Sequence, residues 1–68
     1  MNKYMNDSQV LSAQNTAYAL REAELKIEEQ CIAGELHWDF WESAVKETES
    51  AVRYAVSLGA TYKDLPAI

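Results

Sequence analysis

The sequence predicts an all-α fold: an antiparallel helical hairpin over about 8–33 and 36–58 with a short C-terminal turn, with a dimer closing a four-helix bundle as the alternative in which it self-associates. Three observations carry that expectation. Residues 8 to 33 are mostly good helix formers with no glycine or proline. Residues 36 to 58 repeat an apolar face at helical spacing. Each pattern stops at one of the chain's two glycines, Gly34 and Gly59.

Residues 1 to 6 are polar and aperiodic, as expected of a flexible arm. Asp7 or Ser8 then caps a helix that reaches Ala33, which at 1.5 Å per residue is on the order of 39 Å long. Gly34-Glu35-Leu36-His37-Trp38 is short enough to join two antiparallel helices. Asp39 with Glu42 three residues on resembles a capping box, and Glu35 marks the earliest start of the second helix. After Gly59, Thr61 and Asp64 repeat the capping spacing, but Pro66 follows too soon for a long helix. The expectation there is a short tail, 59–68, with one loose turn, and the 68 residues form one domain.

Eleven acids stand against six bases, for a net charge of −5. Nine of those acids and only two lysines, Lys26 and Lys46, fall between Glu22 and Glu49, so that stretch carries −7. This balance argues against duplex DNA or an anionic membrane as a partner and favours a basic protein surface. The single cysteine, Cys31, suits a reducing, cytoplasmic setting, and it cannot form an intrachain disulfide. The sequence has neither the apolar core of a signal peptide at its start nor a run of about 18 apolar residues.

The two helical patterns bury different amounts of surface. At 100° per residue, Trp41, Ala44, Val45, Thr48, Ala51, Val52 and Ala55 fall in one arc of about 120°, with Trp38, Phe40, Val56 and Leu58 at its edges. The first helix instead carries two apolar stripes. Leu11, Tyr18, Leu25 and Ile32 recur every seven residues along one; Ala13, Leu20 and Ile27, with Ala17 and Cys31, run along the other. One hairpin partner covers only one stripe. The small residues Ala13, Ala17 and Cys31 suit the second helix's tryptophan, which assigns their stripe to the intrachain core. Truncating Leu20 or Ile27 is then expected to cost roughly 2–5 kcal/mol. Leu25, between Glu22 and Glu29, has the apolar centre and charged rim of an interface.

No residue set points to catalysis. His37 and Asp39 are two apart, and no nucleophile or oxyanion donor accompanies them, so the cluster His37-Trp38-Asp39-Phe40-Trp41 reads as an aromatic hairpin corner. Trp38 and Phe40, at the edge of the buried arc, are the binding anchors within it. Glu24, Glu28 and Glu35 read as a solvated acidic face, because a carboxylate di-metal bundle needs Glu-x-x-His pairs and His37 has no such partner. Two glycines exclude phosphate-binding loops. No metal and no cofactor is expected. The partner-binding residues are Leu11, Tyr18, Glu22, Leu25, Glu28, Glu29, Ile32, Trp38 and Phe40.

The stretch Ala51-Val52-Arg53-Tyr54-Ala55-Val56-Ser57-Leu58-Gly59-Ala60-Thr61-Tyr62-Lys63-Asp64-Leu65 resembles the first half of a bacterial helix-turn-helix, in which Leu/Ala-Gly-Ala-Thr ends a helix and an acid-Leu-Ala step begins the next. Pro66 replaces the usual alanine, and no recognition helix follows before Ile68. The resemblance therefore implies descent from, or mimicry of, such a module, with a degenerate regulator as a distant functional reading. The expected function is a non-enzymatic interaction protein that binds and inhibits a larger partner. Small acidic inhibitors carried by phages and mobile elements supply the class-level analogy, some of them imitating nucleic acid. The competing expectation is self-association.

Overall fold

The computed structural model describes residues 7–67. The arm expected over residues 1–6 lies outside them, and Asp7 and Ser8, expected to cap the first helix, are instead its first two residues. Helix α1 spans Asp7–Ile32, helix α2 spans Trp38–Ser57, and a single 3-10 turn spans Tyr62–Asp64. The two helices pack as an antiparallel hairpin measuring 52 × 16 × 14 Å, a pair of helices with no second layer behind them.

Both glycines stop their helices through left-handed backbone. Gly34 adopts φ 83° and its N–H donates to Cys31 O at 3.1 Å, while the Glu35 N–H donates to Gln30 O at 2.8 Å. These bonds satisfy carbonyls that the end of α1 leaves open. Gly59 adopts φ 114°, and the Ala60 N–H returns to Ala55 O at 3.0 Å.

The start of α2 differs from the capping box expected at Asp39. The helix begins at Trp38 and His37 is its cap, with Nδ1 accepting the Asp39 N–H at 3.1 Å. That bond uses the Nδ1 lone pair and leaves the ring proton on Nε2. His37 and Asp39 meet, contrary to the expectation from helical directions, because His37 is extended at φ −75°, ψ 146° and stands outside the helix. Asp39 Oδ2 also lies 3.4 Å from Nδ1, an ion pair that a protonated ring would make at the cost of the capping bond. Both side chains are exposed, so neither contact anchors the fold.

The apolar core lies at the open end of the hairpin. Ala13 and Ala17 of α1, Val52 and Ala55 of α2, and Ala60 and Leu65 of the tail form one buried cluster, with Val10, Ala51, Val56 and Leu58 packed against it. The tail is thus no loose turn. Gly59 reverses the chain, the Thr61 hydroxyl donates to Asp64 Oδ2 at 2.8 Å, and Leu65 closes the core from below. Leu20 and Ile27, assigned by sequence to the core, are half-buried, and the fully enclosed positions of α1 are the small residues beside them.

Candidate interaction surface

Most of the buried apolar side chains among the described residues are small, Leu65 being the exception. Among the described residues the largest fully buried side chain is Thr48, whose hydroxyl donates to Ala44 O at 3.1 Å. The exposed large apolar side chains are Leu11, Tyr18, Leu25, Ile32, Trp38, Phe40, Tyr54 and Tyr62. Large exposed patches of this kind on other proteins mark binding sites. Here the pattern follows from architecture, because two helices in one layer leave the far side of each without a neighbour.

Six of the nine residues assigned to partner binding by sequence are large and apolar, and all six are on the surface. Leu11, Tyr18, Leu25 and Ile32 form one line along α1, Ile32 being the most open at 71%. The line drifts by about 20° per heptad, as a seven-residue repeat must on a helix of 3.6 residues per turn. Trp38 and Phe40 stand at the closed end of the hairpin, where Ile32 also lies. Trp38 meets the half-buried Trp41 edge to face, with ring centroids 5.6 Å apart and planes at 83°, which holds its orientation while leaving it 45% exposed. Tyr54 and Tyr62, which the sequence pattern does not single out, add aromatic surface at the open end.

The acids divide in a way the sequence did not suggest. Glu22 and Glu29 are exposed and Glu28 is half-buried, but Glu24, expected on the solvated face, is 2% exposed. Ala17, Glu24 and Cys31 share one heptad position, so Glu24 points at α2 with its buried neighbours. It forms an ion pair with Arg21 one turn earlier through Oε2, while Oε1 is buried with no hydrogen-bond partner. Trp41 Nε1, across the hairpin, is likewise buried and unpartnered. Cys31 is a small buried core residue whose thiol donates weakly to His37 O at 3.5 Å, tying α1 to the connection.

Among the described residues Arg21–Glu24 is the ion pair between charged side chains, so Glu22, Glu28, Glu29, Glu35 and Glu42 have no cationic partner around the closed half. No group of three His, Cys, Asp or Glu among the described residues is placed to hold a metal ion. No helix among them is long and apolar enough to cross a membrane. Two shallow open depressions share Ala51 on the other flank of the hairpin, one bounded by Ser12, Thr16 and Tyr54 and the other by Leu20, Lys46 and Ser50, and neither brings a catalytic pair together. The chain matches no protein-family model, no curated protein and no solved structure.

Proposed function

We propose that this chain is a helical interaction protein that binds a larger protein with a basic surface and modulates it, acting as an inhibitor by occupying that surface. The observation that carries the reading is the closed end of the hairpin. There Trp38 and Phe40 stand exposed on opposite flanks of the first turn of α2, and Ile32 stands exposed at the end of α1. Glu28, Glu29 and Glu35 in the same half of the hairpin have no cationic partners. Aromatic anchors supply desolvation energy and a charged rim supplies steering and register, the two parts that a specific docking site combines. The inhibitory action is the class-level part of the reading. It rests on the lack of any catalytic constellation in the sequence and on acidity suited to competing for a cationic surface.

The test is capture from a host lysate with the full chain and with Glu28→Lys/Glu29→Lys, each at low and high salt, followed by binding measurements on the captured protein. The reading expects affinity to fall by roughly tenfold or more on charge reversal and to weaken as salt screens the rim. It also expects Trp38→Ala to weaken binding without lowering helicity. A captured protein indifferent to charge reversal, to salt and to Trp38→Ala would overturn it.

A further inference from the structure

We propose that the Leu11–Tyr18–Leu25–Ile32 line of α1 is one half of a two-fold interface, covered by α1 of a second copy of this chain running antiparallel to it. The four positions are symmetric about the peptide between Arg21 and Glu22. A two-fold axis there sets Leu11 opposite the second copy's Ile32 and Tyr18 opposite its Leu25, so every large residue of the line finds an apolar counterpart. Isologous contacts of this kind are the commonest way two identical chains associate.

The polar flanks select the direction of pairing. The positions three and four residues after each stripe residue are Gln14 and Asn15, Arg21 and Glu22, and Glu28 and Glu29. In the antiparallel register Glu22 faces the second copy's Arg21, Glu28 faces its Asn15 and Glu29 faces its Gln14. No acid meets an acid. A parallel pair would set Glu22, Glu28 and Glu29 against themselves, and like charges across such a seam oppose association. Sliding the antiparallel register by one heptad either leaves an end residue of the line uncovered or brings Glu22 against Glu28. Arg21 engages Glu24 through one nitrogen of its guanidinium, its side chain is a third exposed, and its remaining donors are free to reach across the seam.

A standard interface takes about 800 Å² per partner, a large share of a chain whose whole surface is 4906 Å². Four stripe residues with their flanks lie at the lower end of that class, which sets the expectation of a dimer that dissociates on dilution. The proposal goes beyond the docking of a larger partner, because it assigns the outer face of α1 from Leu11 to Ile32, with Glu28 and Glu29 at its edge, to the second copy and leaves Trp38, Phe40 and Glu35 for the larger partner at each end of the dimer.

Sedimentation from low to high micromolar concentration is expected to show monomer passing into dimer, and Leu25→Glu to raise the dissociation constant at least about tenfold by placing a charge in the seam. The geometry is read separately by disulfide trapping in a Cys31→Ser background. Leu11→Cys and Ile32→Cys chains mixed in equal amounts are expected to cross-link to one another. Neither should cross-link alone, because 21 residues at 1.5 Å place the two positions about 32 Å apart, far beyond the roughly 7 Å limit of a disulfide. A folded monomer at every concentration, or cross-linking of each chain with itself, would overturn the proposal. The assay contains this chain alone, so its failure leaves the closed-end reading standing, and failed capture of a larger partner leaves the dimer standing.

Discussion

Replacing Ala55 with leucine is expected to cost about 3 kcal/mol, at the top of the range for overpacking, and to bring the hairpin close to unfolding. Ala55 is fully enclosed between Ala13 and Ala17 of α1 and the returning tail, and its carbonyl accepts the Ala60 N–H. Three added carbons have no void to enter, so the helices must separate or the tail must lift, and either movement uncovers Val52 and Leu65. A chain of this length has roughly 3–10 kcal/mol of stability in total. The control is Ala23→Leu, the same change on the exposed side of α1, which should fall within about 0.5 kcal/mol of the parent. Thermal and urea unfolding followed by circular dichroism reads both. An Ala55→Leu protein as stable as the parent would show that the open-end core is not packed as described.

The second large effect has the opposite sign. Glu24→Leu is expected to stabilise the hairpin by about 1–3 kcal/mol, because it removes a carboxylate from the helix interface together with an oxygen that has no partner there. For a domain of this size that corresponds to a rise in Tm of about 5–20 °C. Arg21→Ala should do the reverse, costing about 2 kcal/mol by leaving the carboxylate without its cation. Stability lost on Glu24→Leu would mean that the carboxylate makes contacts worth more than its desolvation. The same residue explains why the closed half is less well packed than the open half. The apolar cluster ends at Ala17 and Val52, and the layer continues through Thr48, Glu24 and Cys31, with Trp41 Nε1 unpartnered beside them.

The extents of the helices were legible because they depend on local chemistry. Gly34 and Gly59 adopt positive φ where the helical patterns stop, and no other residue type terminates those runs so readily. The orientation of α1 was legible for a similar reason, since Ala13, Ala17 and Cys31 mark the side that a second helix can approach closely. Three features were harder to read. Glu24 lies at the heptad position of Ala17 and Cys31, so its spacing spoke for burial while its charge spoke for solvent, and Arg21 one turn earlier is the local signal that both hold. His37 caps α2 through a ring nitrogen, a use hidden by the more familiar Asp39–Glu42 pattern beside it. The burial of Leu65 depends on a non-local return of the chain across the open end, which no periodicity within 59–68 announces. For the surface, the seven-residue recurrence from Leu11 to Ile32 was visible and Tyr54 lies outside the buried arc of α2, whereas the exposure of Tyr62 follows from how the tail is folded.

The account rests on α1 having one side buried within the chain and another left for association, and a paired comparison of Val52→Ala with Leu25→Ala tests this most directly. Both proteins are melted at a concentration where sedimentation shows monomer, and self-association is then measured at higher concentration. Val52, 3% exposed, should lower monomer stability by about 2 kcal/mol on truncation. Leu25, 43% exposed, should leave monomer stability within about 0.5 kcal/mol of the parent while weakening association. Equal destabilisation of the two monomers would contradict the account, because Val52 of α2 reports on the side of α1 that it packs against, and an equal loss at Leu25 would place the opposite side of α1 in the interior as well.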